Sequence, residues 1–453
     1  MEVKTAEETS FSIRRIAVYT CITVVLVSII LSPALLFDSY PRLLNTLLLV
    51  GLVGLVGRTF LSSLLSFRGG NTPELTLSDA ELPAVSVVIP AYNEASVLPD
   101  TIEACLNLDY PTEKLEIVLC YEEDSVDRTA EICREAAATH EIFTAVKRDE
   151  PGGGKAKAMN YALPFASHDI IAMIDADHQY RPDAIRRAVA WFDSDEDIWC
   201  VKGRCYGINP DDSLLALHAT VERHIAEKAD LFAREVIGGF TIFGGGQAFF
   251  RSDVFETLGD FDENMLTEDI DMSSKIHAVG KRLVMDPSII TFEENPPTLQ
   301  AWWSQRKRWA RGWMQVAVRY LPSIPRRETV SVPAKLDAIY TFSYAIIPAF
   351  VVIGLPLAVL PRFGIETATY VPHAWAIWTA IGISPVVVAG IIFFQDWRDG
   401  LSHQPREYLA AVTLWFYLVF QTAVFVTAFI EEFIVEEPSV YVTTSRAKDP
   451  SDD

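Results

Sequence analysis

Two kinds of sequence alternate in this chain, and their order limits every fold open to it. Ile16 to Phe37 is a nearly unbroken apolar run, and Leu43 to Leu65 is a second. Each is long enough for a helix to cross a hydrocarbon layer of ~30 Å. Apolar stretches return at Leu336–Leu360, Ala374–Phe394 and Tyr408–Ile430. Val85 to about Pro297 carries the polar residues of a domain that folds in water. The order predicts one water-facing domain held between membrane helices, two before it and three after it.

Charge placement orients the spans. Arg14 and Arg15 precede the first run, which puts the N-terminal stub in the cytoplasm by the positive-inside rule. The run exceeds a signal-peptide core and has no small-residue cleavage site. Asp38 to Arg42 is then a short outer turn, and Arg58 and Arg68 bring the chain back. Gly51, Gly54 and Gly57 in the second run allow close approach of another helix. Residues 69–84 are polar and rich in helix breakers, hence a linker. The expected division is 1–68 for the stub and two spans, 69–84 linker, 85–298 catalytic domain, 299–322 amphipathic interfacial helix, 336–430 three spans, and 431–453 acidic tail. By this count the protein is a multi-pass protein of the cell membrane. Its domain faces the cytoplasm and its C-terminal tail lies outside.

Composition closes off other classes. A formal net charge of -22 excludes nucleic acid as a partner, because phosphate backbones need a basic footprint. Six cysteines without a CxxC pair read as reduced core residues rather than a disulfide framework. The scattered histidines show no zinc-ligand spacing.

Within the domain, Val85–Ile89, Leu115–Cys120 and Ile170–Ile174 are β-branched runs that end in turn residues. Strands alternating with helical patterns predict an α/β domain with a parallel sheet and helices on both faces. Ligands in such sheets bind beyond the carboxyl ends of the strands. Ala91-Tyr92-Asn93-Glu94, Glu122-Glu123-Asp124 and Asp175-Ala176-Asp177 all fall at those ends.

Asp175 and Asp177 place two carboxylates where the pleat breaks, a donor set suited to Mg²⁺ or Mn²⁺ on a diphosphate. A helix cap plus a turn acid is the alternative reading. Glu122 or Glu123 can accept hydrogen bonds from a nucleobase or ribose; a solvated turn is the alternative. Gly152-Gly153-Gly154-Lys155 lets backbone and a point charge approach phosphate, with Asn160 on the same pocket wall. No Ser or Thr follows the Lys, so this is not a Walker loop. Gly245, in Phe243–Phe249, allows a sugar to sit against backbone. Asp269, in Thr267-Glu268-Asp269, is the candidate general base, with Glu268 and Asp271 as alternatives. Gln305, Arg308 and Trp309 share one helix face, Trp309 as a stacking platform and Arg308 beside a leaving diphosphate. Trp302, Trp303 and Trp313 read as anchors at the membrane interface.

These residues resemble the processive membrane members of glycosyltransferase family 2, the hyaluronan, chitin, cellulose and poly-N-acetylglucosamine synthases. The resemblance covers residues 85 to about 320 and the flanking spans. Val87–Glu94, with Ala91, Asn93 and Glu94, is similar to the family's opening strand and nucleotide loop, and Lys155 and Asn160 to its phosphate loop. Asp175 and Asp177 match its metal motif, Asp269 its base, and Gln305-x-x-Arg308-Trp309 its acceptor signature, the most specific of the set. The chain departs from the family in Glu122-Glu123-Asp124, where paired Asp is commoner, and in three rather than four trailing spans. The resemblance implies a GT-A domain (nucleotide-diphospho-sugar transferase, Rossmann-like) and an inverting hexosyltransferase that moves a sugar from a UDP-sugar onto a growing polysaccharide. The alternative is a single addition to a polyprenyl-phosphate or glycolipid acceptor.

The acidic excess, with Arg more frequent than Lys, fits a halophilic protein whose self-repulsion is screened at high salt. Thermal midpoint and activity are therefore expected to rise from dilute buffer to molar KCl; a flat or falling response removes the salt adaptation.

Overall fold

A computed structural model describes residues 2–5, 13–68, 72–150, 152–343 and 347–443. The expected acidic tail beyond residue 443 lies outside the described residues. Strand β1 (Glu2–Thr5) precedes two long helices, α1 (Ile13–Leu31) and α2 (Ser39–Leu65). The domain opens with β2 (Val85–Ala91), α3 (Leu98–Leu106), β3 (Leu115–Glu122), α4 (Thr129–Thr139), β4 (Phe143–Arg148), α5 (Gly154–Ala162) and β5 (Ile170–Ile174). It continues through β6 (Gln179–Tyr180), α6 (Ala184–Ser194), β7 (Ile198–Gly207), α7 (Leu214–Ile225) and α8 (Phe232–Val236). It closes with β8 (Gln247–Arg251), α9 (Asp253–Leu258), α10 (Glu268–Ala278) and β9 (Arg282–Glu293). Five helices follow: α11 (Leu299–Tyr320), α12 (Val332–Ser343), α13 (Ile347–Val359), α14 (Ala374–Arg398) and α15 (Pro405–Phe433). Strand β10 (Val440–Thr443) is the last element.

The three runs expected as strands are strands, and they are apolar on both faces because both faces are covered. Val85, Val87, Ile89, Ile117 and Leu119 pack into one layer, while Val88, Val118, Cys120, Ile171 and Met173 pack into the other. The eight-stranded sheet has the order β4-β3-β2-β5-β8-β7-β9-β6. Strands β4, β3, β2 and β5 are parallel, so their carboxyl ends share one edge. The sheet as a whole is mixed rather than parallel: β8 runs antiparallel to β5 and β7, and β6 antiparallel to β9. Strand β8 starts beside the end of β5, where Asp175 N donates to Gly246 O at 2.8 Å. This direction places the Gly244–Gly246 turn at the ligand edge.

The segment expected as a linker is partly packed. Leu82 is buried, Leu75 and Leu77 cover the first core layer, and Thr72 donates to Asp286. All five described cysteines of the domain are buried and unpaired, and Cys21 is exposed and unpaired.

Among the described residues, four helices are long and apolar enough to cross a membrane: Ile13–Leu35, Ser39–Arg68, Ala374–Arg398 and Pro405–Phe433. The run expected as one span over Leu336–Leu360 is two helices, Val332–Ser343 and Pro348–Phe363, bent by 56° to each other. One aromatic expected as an anchor at the membrane interface has other work. Trp302 on α11 is fully buried inside the protein, stacks on Phe420 and donates from its indole N–H to Tyr417 at 2.9 Å. The α11 segment lies between the domain and α15, so this aromatic is a core residue of the junction and not a headgroup anchor.

Helix α7 begins at a Ser213 cap, which accepts from Ala216 N, and continues through residues 226–231 into α8. It forms a floor under the apolar helices. Leu217 and Val221 meet α15, Ala229 meets α14, Asp230 pairs with Arg58 of α2, and Arg234 pairs with Asp337 of α12. Beside it Arg204 makes a two-point pair with Asp396 at 2.6 and 2.8 Å, both fully buried, and Lys228 and His403 also reach Asp396. Removing one partner of such a pair leaves an uncompensated buried charge, at a cost of about 3–5 kcal/mol. Asp396→Asn is therefore expected to lower the thermal midpoint in detergent, and Arg204→Met with Asp396→Leu to recover much of the loss. An unchanged midpoint in Asp396→Asn contradicts this role.

Candidate active site

The carboxyl ends of β2, β3 and β5 open on a cleft of about 1320 Å³, a volume that includes open solvent. It is lined by Ala91, Tyr92 and Glu94 after β2, Glu122 and Asp124 after β3, and Asp175 and Asp177 after β5. Gly245, Asp269, Gln305, Arg308 and Trp309 line it as well. The acids of the strand ends, the candidate base and the indole thus share a single cavity, although up to 218 residues separate Ala91 from Trp309.

Glycine geometry explains the phosphate-side loop. Gly152, Gly153 and Gly154 all have positive φ, 76°, 91° and 75°, a region L side chains avoid. The turn brings Lys155 against Asp175 as an ion pair. Arg148, at the end of β4, is buried and bridges Glu122 and the carbonyl of Gly152. Burial pushes the Glu122 carboxyl up, and Arg148 pulls against that shift.

Asp175, Asp177 and His178 offer ligand atoms within 4.8 Å of one another. The two carboxylates are hard oxygen donors, and this set fits Mg²⁺ or Mn²⁺. His178 is held from behind: its Nε2 is 2.9 Å from Glu293, and Nδ1 is 3.2 Å from Thr291 Oγ1. Burial would raise the Glu293 carboxyl, but Arg223 and His178 hold it down to about 2.

Asp269 stands in the first turn of α10, beside Gly245. Burial raises its pKa to about 7, and the neighbouring Glu268 charge adds to the rise. The Glu268 carboxyl is raised for the same first reason. Asp271, one alternative base, is spent elsewhere: Arg319 and Tyr320 of α11 donate to it, each at 2.9 Å. Asp269 and Glu268 face the cleft and Asp271 does not.

Trp309 is braced by two guanidinium groups, Arg306 at 4.8 Å and Arg223 at 5.3 Å from its ring centroid. Arg306 pairs with Glu222 at 2.7 Å, and Tyr417 of α15 donates to the same carboxylate at 3.0 Å. Arg223 pairs with Glu293 at 2.6 Å, which joins the indole's brace to the support of His178.

Three residues expected in the pocket have other work. Glu123 pairs with Lys147 on the neighbouring strand and is turned to solvent, because it follows Glu122 to the opposite face. Asn160 is a bracket: it accepts from Phe261 N at 3.0 Å and donates to Phe261 O at 2.9 Å. Asn93, at φ 55°, accepts from Val126 N at 2.8 Å and so shapes the loop from behind. Residues that motif reading missed include Asp124, Arg148, His178, Arg223 and Glu293. Only His178, adjacent to Asp177, and Asp124, adjacent to the Glu pair, carried a signal in their spacing.

Comparisons with known proteins agree with this geometry. A family model described as "Glycosyltransferase like family 2" matches residues 83–312. A probable glycosyltransferase, YdaM of Bacillus subtilis, is 32% identical over 253 residues, which is 55% of this chain and 60% of that protein. The poly-beta-1,6-N-acetyl-D-glucosamine synthase of Staphylococcus epidermidis is 28% identical over 239 residues, 53% of this chain and 57% of that protein. The matches thus span under two thirds of these relatives. In fold, the chain is similar to the mannosyltransferase PcManGT from Pyrobaculum calidifontis, solved with GDP-Man and Mn²⁺, at a TM-score of 0.59 and 21% identity over 87% of this chain and all of that one. The domain has the GT-A-like α/β fold, and the chain belongs to glycosyltransferase-like family 2.

Proposed function

We propose that this protein transfers a sugar from a UDP-sugar to a growing polysaccharide, with inversion at the anomeric carbon, at the cytoplasmic face of a membrane. The observation that carries the reading is the single cleft that holds Asp269, the Asp175/Asp177 pair and the braced Trp309 together. Ala91, Tyr92, Glu94, Glu122 and Asp124 are suited to the nucleoside, and Lys155 with the Gly152–Gly154 turn to the diphosphate. Asp175 and Asp177 would hold Mg²⁺ or Mn²⁺, and such an ion when bound neutralises charge on the diphosphate. Arg308 is placed to meet negative charge that builds on the leaving group. The acceptor sugar stacks on Trp309, with Gln305 on the same helix face as a hydrogen-bond partner. Its hydroxyl oxygen attacks the anomeric carbon, Asp269 takes the hydroxyl proton, and the bond to the diphosphate breaks on the opposite face.

Four long apolar helices and the relatives' synthase activity support a membrane setting. The acid carboxylates behind the sheet edge support the donor end, and the indole close to the helix bundle supports an acceptor that arrives at the bilayer surface.

Three measurements test this. Purified protein with Mn²⁺ and labelled UDP-glucose, UDP-N-acetylglucosamine or UDP-glucuronate is expected to release UDP and build a ladder of products. A single lipid-extractable product replaces polymer extension with one-step transfer, and no release with any donor contradicts the reading. Asp269→Asn is expected to lower turnover by about 10²–10⁴-fold, the usual share of a general base. In the wild type the base works only when ionised, so the rate should climb with pH through about 7, the shifted value of that carboxyl. A profile that falls over the same range assigns the proton transfer to another group.

A further inference from the structure

Helix α15 has 29 residues and is apolar, so length and composition alone read it as a span. Its contacts say otherwise. At its start Glu407 lies 3.3 Å from His224 of the domain and 2.9 Å from His403, and the Gln404–Glu407 capping box closes the first turn. At its other end Glu431 pairs with Lys307 and Glu432 with Arg311, each near 3 Å, both on α11. Helix α11 in turn packs on the domain through Arg319, which reaches Asp262 and Asp271. Both ends of α15 are therefore fixed to the catalytic domain.

The far side of the bundle is marked by other contacts. Asn45, near the start of α2, donates to Thr367 O at 2.6 Å, and Tyr370 N donates to Thr46 at 3.0 Å. That places the turn before α14 opposite the domain. Gln395, near the end of α14, donates to Ser63 O at 2.8 Å, which returns the chain to the domain side. Helices α1, α2, the bent pair and α14 thus make four passages, an even number. The chain ends agree: β1 pairs with β10 in parallel, Glu2 beside Val440, and Arg15 pairs with Glu437 at 2.8 Å.

The faces of α15 give the partner. Ala410, Leu414, Tyr417, Gln421, Val424 and Ala428 form the inward stripe and are buried on α7, α11 and α14. The outward stripe at the same helical spacing is Leu409, Val412, Phe416, Val419, Phe420 and Ala423, all exposed and none polar. Water would face a polar stripe on a helix packed this way; an apolar one of this extent marks a lipid contact.

We infer that α15 does not cross the bilayer: it lies along the surface of the leaflet on the domain side, its outer face sunk into phospholipid, and it keeps both chain ends on that side. It stands against the expectation of a fifth span with an external tail. It rests on the membrane setting proposed above and adds the plane of α15 to it.

The test uses the full chain with Cys21→Ser as background, in sealed right-side-out membrane vesicles, probed with an impermeant maleimide. Three reporters are compared: Asp38→Cys in the outer turn, Val126→Cys on the domain, and Glu436→Cys after α15, with a cysteine appended after Asp453 as a second C-terminal probe. The expected result is that Asp38→Cys labels at once, while Val126→Cys and both C-terminal probes label only after permeabilisation. C-terminal probes that label with Asp38→Cys overturn the inference and leave the membrane setting intact. Asp38→Cys and Val126→Cys labelling alike overturns the membrane setting and the inference with it. Nitroxides at Leu409→Cys and Phe429→Cys are ~30 Å apart along the helix axis. They should report equal, shallow depths, and a depth difference of that size overturns the flat placement.

Discussion

Thr267 and Gly312 touch so closely that a methyl group on Gly312 would overlap the threonine side chain. That one contact presses α11 onto the start of α10, where Asp269 stands, and the proposed site depends on it. It sets Trp309, one turn earlier on the helix, against the same cleft as Asp269. A bulkier residue at 312 would have to push the helix off the loop, because Thr267 is buried and short and has nowhere to move. The indole and the Asp269 carboxylate would then separate.

Charge is handled in two ways around that contact. In the cleft wall and deeper in the protein, carboxylates are paired with cations: Glu293 with Arg223 and His178, Glu122 with Arg148, Asp396 with Arg204. Each of these groups is held in place by its partner. In the cleft, Asp269 and Glu268 are buried side by side, and burial outweighs the pull of Lys155 and Arg308, so both carboxyls are raised. The division separates groups that hold position from a group able to exchange a proton near neutral pH. The same paired residues link the elements: Tyr417 of α15, Glu222 and Arg306 lead to Trp309, and Arg223 leads on to Glu293 and His178 beside the metal acids.

Much of this could be read in the amino-acid order, for physical reasons that also explain the failures. The β-branched runs before Ala91, Glu122 and Asp175 are buried on both faces, so they stand out as strands and locate the ligand edge without any structure. Asp269 and Trp309 follow from local patterns that survive in isolation. Glu123 and Asn160 failed because strand parity and a distant loop decide where a side chain points, and neither is written next to the residue. Arg223 and Glu293 reach the cleft through the packing of α7 on β7, the strand that pairs with β9. The flat placement inferred for α15 is out of reach of the sequence for a related reason. Hydropathy measures how apolar a helix is, whereas its direction is set by the ion pairs at its two ends, with partners over a hundred residues away.

The central claim is that strand-end acids, a cation and the base act on one nucleotide-sugar in one cleft. Calorimetric titration of UDP into the purified protein, with and without Mn²⁺, tests it most directly. The account predicts that Mn²⁺ strengthens UDP binding in the wild type, that Asp177→Asn abolishes this gain, and that Glu123→Gln retains it. UDP affinity indifferent to Mn²⁺, or a gain that Asp177→Asn leaves in place, would contradict it.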